Sequence, residues 1–112
     1  MSGAETGVVL LYVTAPDAEV AGRLARHVVE AGLAACANVL PEITSVYRWH
    51  GAVETARECA LIVKTTEART GEAIACLRAA HPYDVPAIVA LPVMAGHPAF
   101  LDWVRTESAG GI

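Results

Sequence analysis

The sequence predicts an α+β fold: a four-stranded antiparallel sheet with two helices on one face and a β-hairpin that projects beyond it. Short apolar runs rich in β-branched residues alternate with stretches of helical periodicity along 112 residues, and that alternation marks strands and helices in turn. The stretch Cys36 to Thr66 carries two strand-like arms around His50-Gly51, longer than a domain of this size can cover. Strand–helix–strand crossovers are right-handed, so both helices fall on one side of the sheet and the opposite side is left bare.

Val8 to Val13 is an unbroken apolar run bounded by Gly7 and by Thr14-Ala15-Pro16-Asp17, as expected of a central strand leading into a helix. Val20, Leu24, His27, Val28 and Ala31 then recur at helical spacing, with Arg23, Arg26 and Glu30 on the other side, until Gly32 offers a left-handed cap. Leu33 to Leu40 returns to strand composition, and Pro41, which has no N–H to donate, predicts a bend or bulge before the exposed arm. After the hairpin, Thr65-Thr66-Glu67 supplies a helix start with an acidic first turn. Ala73, Ile74, Leu77 and Ala80 form the apolar stripe of that helix, and Pro82 ends it near His81. Ala87 to Pro92 reads as a last short strand, and Pro98 to Thr106 as a terminal helix with Phe100, Trp103 and Val104 facing inward. This order is that of a ferredoxin-like βαββαβ sandwich with a long projecting hairpin between its second and third strands and a C-terminal helix. Residues 8–107 are expected to form one domain, with 1–7 a disordered tail and 108–112 a flexible one.

On the ascending arm of the hairpin Ile43, Ser45, Tyr47 and Trp49 share one face, and Thr44, Val46 and Arg48 the other. On the descending arm Cys59-Ala60-Leu61-Ile62-Val63 is continuously apolar, as in a strand covered on both faces, whereas Glu54 to Glu58 is polar and charged. One end therefore sits in a core and the other projects. A two-stranded ribbon is marginal in water, so an arm carrying Val46, Tyr47 and Trp49 is expected to lie against another copy of the chain.

Composition narrows the function classes. Eight basic against twelve acidic side chains give a net charge of −4, and the basic residues are dispersed, so there is no electrostatic footprint for nucleic acid. Apolar residues make up 54% of the chain, yet no run approaches the roughly 18 to 20 residues that span a bilayer; the excess points to subunit contacts. Cys36, Cys59 and Cys76 form neither an even set nor a Cys-x-x-Cys pair, so reduced thiols are expected rather than disulfides or structural zinc. Met-Ser-Gly-Ala-Glu-Thr-Gly lacks the basic and apolar regions of a signal peptide, and the expected location is the cytoplasm.

Several ordered segments carry a resemblance. Leu33-Ala34-Ala35-Cys36-Ala37-Asn38-Val39-Leu40-Pro41, Thr44-Ser45-Val46-Tyr47-Arg48-Trp49-His50-Gly51, Lys64-Thr65, His81-Pro82-Tyr83-Asp84-Val85-Pro86, Ile88 to Val93 and Phe100-Leu101-Asp102-Trp103-Val104 closely resemble the CutA divalent-cation tolerance family, over a span from Val8 to Arg105. The resemblance implies a ferredoxin-like fold, a homotrimer knit by its long hairpins, and a role associated with tolerance of copper and other divalent metals. Two departures stand out. Where some members carry a Cys at the end of the first strand and a His-His pair before Pro-Tyr, this chain has Val13 and Ala80-His81. The descending arm, Val53-Glu54-Thr55-Ala56-Arg57-Glu58, is also less acidic than is common in the family.

Against that background His81 is the first metal-ligand candidate, although an imidazole at a helix C-terminus also serves simply to cap carbonyls. Cys36 is the second, as a soft thiolate donor, set against the commoner role of a small buried hydrophobe. Tyr83 and Asp84 follow on a turn held by Pro82 and Pro86. Lys64 follows a buried apolar run, where its charge calls for a carboxylate such as Glu54, Glu58 or Asp84 from any subunit. Glu54, Lys64, Tyr83 and Asp84 are thus the candidates for a ligand cleft. His27, on the packed or boundary face of its helix, and the loop residues His50 and His97 have no second ligand at metal spacing.

Two functions follow. One is a cytoplasmic homotrimer that supports metal tolerance by binding a divalent cation, Cu(II) before others because one imidazole without a thiol at Val13 suits the divalent ion; no metal is needed for folding. The other is a small-molecule-binding regulatory trimer of the nitrogen-regulatory-protein type, with its ligand in the intersubunit cleft. No nucleophile–base pair or phosphate loop marks an enzyme.

Overall fold

The computed structural model describes residues 5–109. Its elements are β1 (Val8–Ala15), α1 (Ala18–Glu30), β2 (Cys36–Trp49), β3 (Ala52–Thr66), a 3-10 turn (Glu67–Arg69), α2 (Thr70–Ala80), β4 (Ile88–Pro92) and α3 (Pro98–Glu107). The four strands form one antiparallel sheet in the order β2-β3-β1-β4, as a ferredoxin-like sandwich requires.

The central strand sets the two faces. Val9, Leu11 and Val13 of β1 and Leu61 and Val63 of β3 are buried under Ala21, Leu24 and Val28 of α1 and Ala73 and Leu77 of α2. Asp17 starts α1 by accepting the Val20 N–H at 2.9 Å. At its end Gly32, at φ 74°, places its own N–H on the Val29 carbonyl and that of Leu33 on the Val28 carbonyl, a Schellman closure. The buried stripe of α1 runs through Ala21, so His27 is exposed rather than packed.

On the other face Leu10, Tyr12, Asn38, Leu40, Ile62, Lys64, Val89 and Leu91 are matched by the strand registers and have no helix above them. One end of that face is covered after all: Val8 lies with Leu101 and Val104 of α3 in a second small cluster. This changes the expected orientation of α3. Leu101 and Val104 point inward, while Phe100 and Trp103 are about two-fifths exposed, at 41% and 43%, because a helix laid on a sheet end hides only one narrow stripe.

β2 begins at Cys36, later than the expected Leu33, since Ala34 and Ala35 are buried in the bend that brings the chain to the sheet. At Pro41-Glu42 two residues face the single Cys59: the register passes from Leu40 opposite Ala60 to Ile43 opposite Glu58. Glu42 takes φ 58° there. Beyond this bulge the ribbon runs to His50-Gly51, whose φ values of 50° and 81° are those of a type I′ hairpin turn.

At the chain ends Thr6 Oγ1 donates to the Val93 carbonyl at 2.6 Å, Arg105 donates to the Thr6 carbonyl, and Ser108 is buried. Thr6 and Ser108 thus have defined partners or burial, and the rest of the expected tails, residues 1–4 and 110–112, lies outside the described residues.

Thr65, fully buried, donates its hydroxyl to the Leu33 carbonyl at 2.7 Å and so pins the α1–β2 bend to β3. Thr65→Val keeps the shape and removes that donor; urea unfolding should show a loss of about 1–3 kcal/mol, and an unchanged midpoint would mean that the bend is held by packing alone.

Candidate functional site

The polar groups converge at the base of the ribbon. β1 ends at Ala15 opposite Cys59, so from Glu58 onward β3 has no neighbour on that side, and the chain after α2 comes alongside it. His81 caps α2 in an extended conformation (φ −79°, ψ 136°), as the following Pro82 demands. Its ring is buried, Nδ1 accepts the Tyr83 N–H at 3.1 Å, and Nε2 lies 2.7 Å from the Thr14 carbonyl oxygen. A carbonyl only accepts, so these partners assign a neutral imidazole with its proton on Nε2. The Tyr83 ring leans on the imidazole with centroids 4.8 Å apart, and its hydroxyl donates to Glu58 Oε2 at 2.7 Å. Thr14, His81, Tyr83 and Glu58 thus tie the end of β1 to the root of the hairpin.

Burial pushes the Tyr83 phenol above the usual tyrosine range, and the hydrogen bond to Glu58, the Glu58 charge and, more weakly, Tyr47 and Asp17 push the same way. Tyr83 is therefore a neutral donor at ordinary pH. Beside the pair is a cleft of about 290 Å³ lined by Pro16, Asp17, Ala18, Pro41, Glu42, Arg57, Glu58 and Cys59, in which Arg57 reaches Glu42 at 3.5 Å. A larger cleft of about 780 Å³ lies at the opposite end beside Arg69, Arg105 and Ser108. There Arg69 holds the Ser108 and Ala109 carbonyls and Glu72, and Arg105 holds Asp102 besides the Thr6 carbonyl.

The sequence candidates are only partly united. His81 and Tyr83 meet. Cys36 pairs with Lys64, whereas Thr14, which binds His81, pairs with Ala60; Lys64 and Ala60 are ~14 Å apart along β3 at ~3.4 Å per residue. His81 and Cys36 therefore lie apart in the fold, and both imidazole nitrogens are already engaged. Among the described residues no three His, Cys, Asp or Glu side chains gather as metal donors. Glu54 stands on the ribbon opposite Tyr47, far from Lys64, and Asp84 is exposed. Glu58 is the partner that spacing did not single out for Tyr83; the two are brought together only by the end of β1.

This arrangement defines a class of protein: an α+β, ferredoxin-like chain with one sheet face uncovered and a polar cleft at the root of a projecting ribbon. The chain belongs to the CutA1 divalent ion tolerance protein family, whose model matches residues 9–107. It is 45% identical over 99 residues to the divalent-cation tolerance protein CutA of Thermus thermophilus, covering 88% of this chain and 96% of that one. It is 43% identical to mouse protein CutA over 87% of this chain, and spans 56% of the mouse chain's length. Among solved structures, CutA1 of Thermus thermophilus superposes with a TM-score of 0.87 at 43% identity, over 89% of this chain and 97% of that one. CutA1 of Ehrlichia chaffeensis does so at 0.87 and 37%, over 94% and 98%.

The Tyr83 shift has a definite sign for stability. A group whose folded pKa is raised contributes stability that is fully present below its unfolded value, about 10 for tyrosine, and lost as pH rises through the folded value. Absorbance titration at 295 nm should show a phenol ionising above the usual tyrosine range, and in Tyr83→Phe that late step should be absent and the alkaline loss of stability smaller. A late step that survives the substitution removes the assignment to Tyr83.

Proposed function

We propose that the chain serves divalent-cation tolerance as a cytoplasmic homotrimer that binds a divalent ion, Cu(II) foremost, where subunits meet. The observation that supports this best is the uncovered face. Leu10, Tyr12, Leu40, Ile62, Val89 and Leu91 form an apolar surface that continues onto Tyr47 and Trp49 of the ribbon, and a monomer would leave it in water. The ribbon and the far edge of the sheet are different surfaces, so contact between copies is head-to-tail and is satisfied by closure into a ring. Among the described residues of one chain no three donors gather, and the proposed donors come from more than one copy, with Glu54, Asp84 and Cys36 among the groups left accessible or half-buried. Carboxylate and amide donors suit Cu(II), whereas Cu(I) selects sulfur. Three free cysteines suit a reducing compartment, and the role is binding rather than catalysis.

The cleft beside Tyr83 and Glu58 favours a second reading, a small-molecule regulatory trimer; at about 290 Å³ it is near the lower limit for such sites, and a neighbouring subunit would deepen it.

Sedimentation equilibrium of the wild type at micromolar concentration should give the mass of a trimer, and Trp49→Asp, which places a charge on the apolar side of the ribbon, should lower it. Val46→Asp, on the opposite side, tests whether that side is covered too. Calorimetric titration should show Cu(II) bound more tightly than Zn(II) by the wild type and lost together with assembly in Trp49→Asp. A monomeric variant that still binds Cu(II) as the trimer does refutes a site between subunits, and binding of neither metal by a trimeric wild type leaves the small-molecule reading.

A further inference from the structure

We propose that Lys64 of one copy completes the Tyr83–Glu58 site of the next, pairing with the Glu58 carboxylate across the subunit boundary. The inference rests on the homotrimer proposed above and identifies which charges meet in it.

Lys64 is half-buried on the uncovered face, between Leu10 on β1 and Cys36 on β2, and has neither a hydrogen bond nor an ion pair with another described residue. On an open face water serves that ammonium. Once a second copy covers the face, the charge requires an acceptor, because an unpaired buried ammonium is costly.

Glu58 is the complementary group. It is half-buried, shares with Lys64 the same face of β3 by the alternation of the strand, and is engaged only through Oε2, which accepts from Tyr83. Oε1 has no partner among the described residues, and a carboxylate has about four lone-pair sites to fill. The adjacent Arg57 points to the other face of the ribbon, where it meets Glu42.

Glu58 and Lys64 cannot answer each other within one chain. They are separated by ~20 Å along β3 at ~3.4 Å per residue, so only a second copy can bring them together. The face has a charge polarity that suits this: Glu54 and Glu58 at the ribbon end, Lys64 at the other. Head-to-tail contact places ends of opposite sign together. Glu54 and Asp84 also lie toward the ribbon end but are exposed, where an ion pair contributes little; Glu58 is half-buried and oriented by Tyr83.

Charge reversal tests the pairing. Lys64→Glu and Glu58→Lys should each raise the concentration at which trimers dissociate by at least about tenfold, followed by sedimentation with far-UV circular dichroism to confirm the fold. The double reversal should recover most of that loss. A second cycle with the milder Glu58→Gln and Lys64→Met should show the same non-additivity if a reversal prevents folding. Strict additivity in a protein that is trimeric as wild type overturns the pair and leaves the trimer standing. Rescue of Lys64→Glu by Glu54→Lys or Asp84→Lys instead of Glu58→Lys also overturns it, and a monomeric wild type overturns both the pair and the assembly.

Discussion

The bulge at Pro41-Glu42 is the constraint on which the surface of this protein depends. Up to Leu40 the even-numbered residues of β2 lie on the uncovered face, matched to Ala60, Ile62 and Lys64; after the bulge the odd-numbered ones do, matched to Glu58, Ala56 and Glu54. Without the extra residue every side chain beyond it would change sides. Tyr47 and Trp49 would then leave the face that Leu40, Tyr12 and Ile62 occupy, and one apolar surface would become two unconnected ones. Pro41 makes the interruption inexpensive because it has no N–H to withdraw from the ladder.

A second dependence runs through His81. Its ring joins the Thr14 carbonyl to the Tyr83 amide, and Tyr83 reaches Glu58, so the α2–β4 connection, the end of the central strand and the root of the hairpin are tied together. The imidazole that residue type alone marks as a metal donor is here a two-sided hydrogen-bonding strut. The charged and polar groups at the hairpin root are held in place by it, while the larger cleft beside Arg69 and Arg105 has its guanidinium groups occupied by chain carbonyls and neighbouring carboxylates. A chain built this way has a closed core and one open sheet face, with Glu58 at the ribbon end of that face and, at the other, Lys64 with no partner among the described residues.

The periodicity of the chain was sufficient for the sheet, both covering helices, the bulge, the turn at His50-Gly51 and the uncovered face, because strand and helix patterns are local and each apolar stripe needs only one partner layer. It was insufficient wherever two stripes compete for a single covering surface. In α3 the apolar residues Phe100, Leu101, Trp103 and Val104 surround more of the helix than the narrow end of a sheet can hide, and packing selected Leu101 and Val104. In α1 the choice between Val20 and Ala21 moved the buried stripe and left His27 outside.

The sequence by itself determined the α+β class, the family resemblance and the chemical types available at the candidate site: one imidazole near a helix end, a phenol beside it, a lysine after an apolar run and thiols with no metal spacing. Only the tertiary structure decided which of these meet. Cys36 and His81 are separated by the length of a strand segment, whereas Tyr83 and Glu58 touch because β1 stops at Ala15 and leaves room beside β3. Residue type and short-range pattern are written in the chain, but contacts between distant segments depend on where strands end and how they are registered, and those are set by the packing of the whole sheet.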